Sequence, residues 1–251
     1  MSAGPPALLL HGQPGAARDW DRVRSALGDS VQAIAFDRPG WDGRSAPRDI
    51  AGNAAAALSV LDASGVSEPA VVVGHSFGAA VACWLAASQP TRVARLVLLA
   101  PAANVASLYA LDRWLAAPVL GELSSAVAVG APAAVLRSGW ARRSLGRRLG
   151  LDDSHLGGVG RTFANPRAWR AFTVEQRSLV RDLPVLEARL VAVKAPAQVL
   201  IGTHDWIVPV SSAQTLARQL PHAKLAVVSR AGHLLPLTRA EAVADAISGR
   251  S

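Results

Sequence analysis

The amino-acid sequence predicts an α/β protein in which a mostly parallel sheet is covered by helices on both faces and carries a helical cap insertion. Short apolar runs rich in Val, Leu and Ile alternate with alanine-rich stretches of helical length, which is typical of parallel strands joined by helices. Residues 102–190 interrupt this alternation, because they contain no convincing strand. We therefore expect a core formed by residues 1–101 and 191–251 and a cap formed by residues 102–190.

Six strands are predicted from consecutive apolar residues, a pattern that suits strands buried on both faces. They cover residues 7–11, 31–37, 69–75, 95–100, 197–202 and 224–229. Helices are predicted between them over residues 16–27, 49–64, 77–88, 211–219 and 238–248. Because the strands are parallel, the carboxyl ends of all six lie at one edge of the sheet. The connections between the strands are expected to be right-handed crossovers. Ligands of open α/β sheets bind at that edge, and a cap would cover it.

Composition restricts the class of protein. Hydrophobic residues make up 51% of the 251 residues, and no apolar run reaches the roughly 18 residues that a membrane span needs. The net charge of +8 would suit nucleic-acid binding, but the arginines are scattered and no nucleic-acid-binding motif is present. We predict no nucleic-acid partner and no membrane partner, and an anionic substrate stays open. The densest basic run is interpreted as a solvated helical face; it contains Arg142, Arg143, Arg147 and Arg148.

The sequence predicts a cytoplasmic protein. Its first twelve residues contain neither a basic segment nor a signal-peptidase cleavage site, so export by a standard signal peptide is not expected. The single cysteine, Cys83, excludes an internal disulfide and suits a reducing compartment. The sequence allows a homo-oligomer but does not fix the oligomeric state.

The segment Gly74-His75-Ser76-Phe77-Gly78 lies where the third predicted strand turns into a helix. A turn this short strains the central residue, and the two glycines remove side chains that would otherwise collide. The hydroxyl of Ser76 then stands at a helix N-terminus, where the amides and the helix dipole favour negative charge. A G-x-S-x-G pattern alone is weak, but its position between strand and helix indicates a nucleophile elbow.

A serine nucleophile needs a base and an acid that orients the base. His233 follows the last strand and lies at the same edge as Ser76, whereas His222 precedes that strand and lies at the opposite edge. Asp205 follows the fifth strand at the same edge, while the fourth strand is followed by Asn104 and no carboxylate. We predict Ser76, Asp205 and His233 as the catalytic residues, in the chain order of a triad on such a sheet. The alternative for Asp205 is an ordinary turn or N-cap aspartate.

The remaining histidines are given other roles. His155 lies in the cap, and His204 is expected to pack a loop beside the predicted acid. His75 is expected to point away from its neighbour Ser76, and His11 is expected to brace a loop by hydrogen bonding. None of these four is therefore predicted to act as the base.

The first predicted strand ends in His11-Gly12-Gln13-Pro14-Gly15, a turn whose amides can face a substrate carbonyl. We predict the backbone N–H groups of Gln13 and Phe77 as the donors of an oxyanion hole. A plain turn rich in Gly and Pro is the alternative. No metal and no cofactor are predicted, because acyl transfer by this triad needs neither.

Five motifs in this order resemble those of the α/β-hydrolase superfamily. They are HGQPG (11–15), FDRPGWDGRS (36–45), GHSFGA (74–79), GTHDWIVP (202–209) and AGHLLP (231–236). The resemblance covers nearly all of residues 7–101 and 191–251, and the insertion corresponds to the variable cap of that family. It implies the α/β-hydrolase fold and a hydrolytic activity.

The nucleophile separates members of this superfamily. Haloalkane dehalogenases and epoxide hydrolases carry an aspartate where this chain has Ser76, so the resemblance excludes both. Carbon–carbon bond hydrolases of the meta-cleavage type share the serine triad but typically carry a tryptophan where this chain has Leu234. Serine-triad perhydrolases of the haloperoxidase type share the elbow. Prolyl aminopeptidases have a similar loop, but the Arg-rich cap of this chain disfavours recognition of a substrate amine.

The sequence therefore predicts a serine hydrolase, a carboxylesterase in particular, that cleaves a small-molecule ester or related acyl substrate through an acyl-enzyme. An apolar substrate is favoured, because the cap is apolar over residues 105–120 and 124–136 and contains Trp114, Trp140 and Trp169. These residues would equally serve to pack the cap against the core. Carbon–carbon bond cleavage or perhydrolysis by the same triad is the first alternative, and a receptor-like ligand-binding protein of the same fold is the second.

Overall fold

The computed structural model describes residues 4–250 of the chain. Its sheet consists of β1 Pro6–Leu10, β2 Gln32–Ala35, β3 Ala70–His75, β4 Val93–Leu99, β5 Ala197–Gly202 and β6 Ala223–Val228. The strands lie in the order β2-β1-β3-β4-β5-β6, and each neighbouring pair is parallel. All six predicted strands are present, and the predicted fold class is confirmed.

The helices follow the alternation that the sequence predicts. Before the insertion they are α1 Asp21–Leu27, α2 Ile50–Ala63 and α3 Phe77–Ser88. Between β4 and β5 they are α4 Ala110–Leu115, α5 Leu120–Arg137, α6 Gly139–Leu149, α7 Asp153–Phe163 and α8 Pro166–Arg189. After β5 they are α9 Val210–Gln219, α10 Leu235–Thr238 and α11 Ala240–Ser248. The predicted helix over residues 16–27 starts instead as a 3₁₀ turn, Ala17–Trp20, which continues into α1.

The sheet is buried on both faces, which explains why its strands read as continuous apolar runs. Leu8 and Leu10 of β1 belong to the core layer that includes α2, α3 and α9. Ala7 and Leu9 of the same strand face the opposite layer, which includes α1 and α11. Successive strand residues point to opposite faces, so each face needs its own apolar side chains.

Helix α8 joins the inserted helices to the core. Ala171 and Phe172 in its first half pack in a cluster with residues of α4 and α5. Leu179 and Leu183 in its second half belong to the core layer that contains α3. The residues between these two halves therefore lie where the inserted helices meet the α/β core.

The polar face of the insertion is exposed to solvent. Arg143, Arg147 and Arg148 of α6 are exposed, and the partly buried Arg142 donates to Asp153 at 2.9 Å. Over residues 4–250, none of the helices combines the length and the apolar character needed to cross a membrane.

Candidate active site

Ser76 occupies a strained turn between β3 and α3. Its backbone has φ 52° and ψ −118°, a region that side-chain-bearing residues rarely adopt. The backbone of Ser76 is held in place, because its N–H donates to the carbonyl of Leu99 at 2.9 Å. Its carbonyl accepts hydrogen bonds from the N–H groups of Ala79 and Ala102 at 3.0 and 3.2 Å. The serine is therefore fixed through its main chain at the carboxyl edge of the sheet.

Gly74 and Gly78 make this turn sterically accessible. A Cβ atom on Gly74 would lie 2.3 Å from the carbonyl oxygen of Gly78. A Cβ atom on Gly78 would lie 2.3 Å from the carbonyl oxygen of Leu10 and 2.7 Å from that of His11. All of these neighbours are backbone atoms, which cannot move aside as a flexible side chain does. Both positions of the elbow thus require glycine, as its sequence pattern predicts.

Asp205 and His233 come from loops that follow different strands, and their side chains meet. His233 Nδ1 lies 2.9 Å from Asp205 Oδ2, and Asp205 Oδ1 accepts from the N–H groups of Ile207 and Val208 at 2.9 Å each. Burial alone would raise the pKa of Asp205, but the His233 hydrogen bond and charge and the two backbone donors hold that pKa below its ordinary value. The carboxylate therefore stays ionised and fixes the His233 ring, leaving Nε2 for proton transfer.

Ser76 and His233 are both largely buried. Their exposed fractions are 7% and 8%, and the ring of His75, the residue before Ser76, has its centroid 4.9 Å from that of His233. No hydrogen bond among residues 4–250 joins the Ser76 hydroxyl to His233. Such contacts are often long in a free enzyme and shorten when substrate binds.

His75 contacts the loop that carries His233, a role that the sequence analysis missed. Its Nε2 lies 2.9 Å from the backbone carbonyl of His233, and because a carbonyl only accepts, Nε2 must carry the proton. Burial and the nearby His233 charge lower the pKa of His75 to about 3, so the ring is neutral. The sequence signal for this contact was the position of His75 between the glycine and the serine of the elbow, at the end of a buried strand.

The predicted oxyanion donors lie beside Ser76. Gln13 and Phe77 line the same cavity of about 180 Å³ as the serine. Phe77 is the first residue of α3, so its N–H is one of the four that have no partner within the helix. His11 braces the adjoining turn, because its Nδ1 donates to the carbonyl of Gly12 and its Nε2 accepts from the N–H of Arg38. The loop and the helix N-terminus therefore face one cavity from two sides.

Arg38 holds the turn that carries Gln13, and sequence reasoning gave this arginine no role. It is fully buried and donates to the carbonyls of His11 and Gly12 at 3.1 and 2.9 Å. Its guanidinium lies 4.7 Å from the ring centroid of Phe77 and pairs with the buried carboxylate of Glu175 in α8. The arginine thus joins the oxyanion turn to the insertion. Its place in the FDRPG motif was the available signal, but its partner could not be inferred.

A line of side-chain amides crosses the cavity from the core to the insertion. Gln13 Nε2 donates to Gln176 Oε1 at 2.6 Å, and Gln176 Nε2 donates to Asp112 Oδ1 at 2.9 Å. Apolar side chains form much of the remaining lining: Phe77, Leu108, Leu115, Phe172, Leu179, Ile207 and Val208. The lining of the cavity is therefore mostly apolar, with a line of polar side chains across it.

The cap tryptophans lie elsewhere. Trp140 and Trp114 are 73% and 50% exposed, and neither lines the cavity. Trp169 is partly buried and donates through Nε1 to the carbonyl of Phe163. Leu115 and Phe172 supply the apolar surface for which the tryptophans were candidates. Over residues 4–250, His, Cys, Asp and Glu side chains form no group of three that could hold a metal ion.

Comparisons with known proteins identify the family of this chain. A model of the family described as the alpha/beta hydrolase family matches residues 7–246. The chain is 45% identical to lipase LipV of Mycobacterium tuberculosis over 105 residues, which are 40% of this chain and only 39% of that lipase. It is 28% identical to 2-hydroxymuconate semialdehyde hydrolase of Pseudomonas sp., over 98% of this chain and 86% of that enzyme.

A solved structure shares the fold. The thermophilic esterase from Thermogutta terrifontis matches with a TM-score of 0.72 at 22% identity, over 100% of this chain and 90% of the esterase chain. At this level of identity the likeness concerns the fold, and the chemistry has to be argued from the residues of the site.

Proposed function

The chain belongs to the alpha/beta hydrolase family, and from this premise we propose that it is a serine hydrolase that cleaves a carboxylic ester or related acyl substrate. The proposal is supported by the 2.9 Å contact between His233 Nδ1 and Asp205 Oδ2 and by the strained backbone of Ser76 at the end of β3. An ordinary turn serine needs neither a positive φ nor a histidine–carboxylate pair from two other loops. The partial identity to a lipase supports ester chemistry in particular.

The proposed reaction passes through an acyl-enzyme. Ser76 Oγ attacks the ester carbonyl while His233 Nε2 takes the hydroxyl proton, and Asp205 stabilises the resulting imidazolium. The N–H groups of Gln13 and Phe77 hold the oxyanion of the tetrahedral intermediate. Collapse breaks the bond to the leaving alkoxide, which receives the proton from His233. Water then attacks the acyl-enzyme with His233 as the base, which releases the acid and restores Ser76.

The cavity favours a short acyl group. Its volume of about 180 Å³ is below the roughly 300–1,000 Å³ of typical small-molecule pockets. Leu108, Leu115 and Phe172 offer apolar surface on the side of the insertion. We therefore infer that short esters are the best substrates and that efficiency falls as the acyl chain outgrows the cavity.

Covalent labelling tests the nucleophile. A fluorophosphonate probe should label the wild-type protein, and Ser76→Ala should abolish the label and lower kcat for p-nitrophenyl butyrate by more than about 10³-fold. Ser107→Ala is the matched control for labelling, because Ser107 lines the same cavity but donates its hydroxyl to the carbonyl of Asn104. Labelling that persists in Ser76→Ala, or disappears in Ser107→Ala, contradicts the assignment.

A second candidate is carbon–carbon bond hydrolysis by the same residues. The similarity to 2-hydroxymuconate semialdehyde hydrolase over 98% of the chain favours it. Parallel assays on p-nitrophenyl esters of graded length, on a diketone and on peracid formation separate the chemistries. Cleavage of the diketone without cleavage of any ester would replace the esterase proposal. A protein that reacts with neither substrate nor probe would instead fit the receptor-like alternative.

A further inference from the structure

The line of amides across the cavity has a direction that Asp112 imposes. The backbone carbonyl of Asp112 only accepts hydrogen bonds and lies 3.3 Å from Gln176 Nε2, so Gln176 must turn its Nε2 towards Asp112, whose Oδ1 lies 2.9 Å from the same nitrogen. The Oε1 of Gln176 then faces Gln13, whose Nε2 must donate to it. The two ends of a glutamine amide look alike but differ in chemistry, and here the chain of contacts fixes which end is which.

This orientation leaves one acceptor without a partner. Gln13 Oε1 is buried and makes no hydrogen bond to any of residues 4–250. Gln13 lines the cavity together with Ser76, so this unpaired oxygen belongs to a side chain of the cavity wall. Buried acceptors are normally satisfied, and one held unsatisfied beside a binding cavity needs an explanation.

We propose that Gln13 Oε1 is a specificity site that accepts a hydrogen bond from the substrate, and that Asp112 and Gln176 are positioning residues for it. The acyl group that the enzyme prefers then carries a hydrogen-bond donor, a hydroxyl or an amide N–H, within a few bonds of the reacting carbonyl. The donor must lie this close because the backbone N–H of the same residue is a proposed donor of the oxyanion hole. This inference rests on the function proposed above.

The discrimination arises from an unmatched acceptor. A substrate hydroxyl satisfies Gln13 Oε1, whereas a methyl ether presents a second acceptor and leaves both oxygens unpaired. Sites built to pair with a substrate hydroxyl reject analogues that lack it far more strongly than apolar pockets reject a missing methylene. We therefore expect discrimination by hydrogen-bonding character and not by size alone.

Matched esters test the preference. The kcat/KM values of p-nitrophenyl 2- and 3-hydroxybutyrate are compared with those of the corresponding methoxybutyrates, each divided by its rate of alkaline hydrolysis. At least one hydroxy ester should exceed its methoxy counterpart by tenfold or more. Equal values for both pairs, in an enzyme that cleaves the esters, would overturn the inference while leaving the proposed function intact.

Variants test the line of contacts. Gln13→Met removes the acceptor and should bring the hydroxy-to-methoxy ratio to within threefold of one. Asp112→Asn weakens the hold on Gln176 but leaves the backbone carbonyl of residue 112 at 3.3 Å from Gln176 Nε2, so the ratio should fall, but by less than in Gln13→Met. Asp153→Asn, on the exposed surface of α7, is the control and should keep the wild-type ratio. A ratio that survives in Asp112→Asn would remove Asp112 from the proposal.

A binding measurement keeps the inference separate from the chemistry. The affinities of 3-hydroxybutyramide and 3-methoxybutyramide for Ser76→Ala are measured by NMR titration, and likewise those of the 2-substituted pair. Tighter binding of at least one hydroxy compound is expected, and equal affinities in both pairs would contradict the role of Gln13 even if no ester is cleaved. Failure of the proposed function would show separately, as a wild-type protein that neither cleaves an ester nor takes the fluorophosphonate label.

Discussion

In the α/β core the site residues stand at strand ends and are held by backbone contacts, whereas the inserted helices reach the site through side chains. Ser76 is fixed by main-chain hydrogen bonds and by two glycines that tolerate no Cβ atom. The insertion contributes Asp112, Glu175 and Gln176, each through a long or flexible side chain. The core geometry therefore tolerates little change, while the cavity can be altered one side chain at a time.

The two regions are joined at consecutive residues of α8. Glu175 pairs with Arg38, which holds the oxyanion turn, and Gln176 accepts from Gln13 in that same turn. Both contacts lie between the half of α8 that packs on the insertion and the half that packs on the core. One helical turn thus contacts both the turn that carries Gln13 and the cavity that Gln13 lines.

Removing Glu175 should produce the largest effect on stability. Glu175→Leu leaves the Arg38 guanidinium buried without a counter-charge, and loss of one partner of a buried ion pair costs about 3–5 kcal/mol of unfolding free energy. Urea denaturation of the variant and the wild type measures the loss. A loss below about 1 kcal/mol would mean that this pair does not couple the core to the insertion.

The double variant Arg38→Met/Glu175→Leu separates stability from activity. Removing both charges should restore most of the lost unfolding free energy, because no buried charge is then left uncompensated. The carbonyls of His11 and Gly12 still lose the hydrogen bonds from Arg38, and Gly12 keeps only the one from His11 Nδ1, so kcat on p-nitrophenyl butyrate should stay reduced. Full recovery of kcat would show that Arg38 does not position the oxyanion turn.

Matched Gly→Ala substitutions test the contrast between the two regions. Gly78→Ala places a Cβ atom 2.3 Å from a backbone oxygen of β1 and should cost about 3 kcal/mol of unfolding free energy. It should also lower kcat by about 100-fold, because the serine shifts. Gly157→Ala in α7 meets its nearest atom at 3.6 Å and should stabilise the protein by about 0.5–1 kcal/mol. Similar effects at both positions would remove the contrast.

The same contrast explains what the sequence could predict. The core strands, the elbow and the loops of Asp205 and His233 follow from local patterns, since the carboxyl ends of parallel strands must share an edge. The partners of Arg38 and Gln13 are 137 and 163 residues away along the chain, and no local pattern joins them. Helix α5 continues through Pro132, because packing against neighbouring elements overrides local preference in the insertion. The exposure of Trp140 also does not follow from its apolar side chain.

Another contact between the two regions should depend on pH. Asp19, near the oxyanion turn, has its Oδ1 3.7 Å from His155 Nε2 in α7. Burial raises the pKa of Asp19 to about 7, against smaller opposing effects of a backbone hydrogen bond and a nearby arginine. Between its ordinary pKa of 3.8 and a pH of about 7, Asp19 is therefore protonated in the folded protein and ionised in the unfolded chain. The unfolding free energy should fall as pH rises from about 4 to 7 and change little from this group above 7.

Asp19→Asn should remove this slope. A tenfold change in proton affinity corresponds to about 1.4 kcal/mol, and the partly exposed edge of the carboxylate is screened by water, so we expect a gain of roughly 1–2 kcal/mol at pH 8. Urea denaturation at pH 4.5 and pH 8 measures it. Among the neighbouring titratable groups, Arg18 lowers the pKa of Asp19, whereas Asp21 and Asp37 raise it, and His155 lies 3.7 Å from its carboxylate. An equal effect of the substitution at the two pH values would refute the assignment.

The smallest effect is expected at an ion pair that joins α8, the helix of Glu175, to α5. Arg177 Nη2 contacts Glu122 Oε1 of α5 at 3.1 Å, but their side chains are 37% and 61% exposed. Water and salt screen such a pair, so Glu122→Gln should cost less than about 1 kcal/mol, and 0.5 M NaCl should abolish the difference. Urea denaturation at low and high salt measures it. Breaking the pairs of Glu175 and of Arg177, which lie two residues apart on α8, should then change the unfolding free energy by amounts that differ several-fold, because only the first pair is buried. A loss above about 2 kcal/mol in Glu122→Gln would refute that explanation.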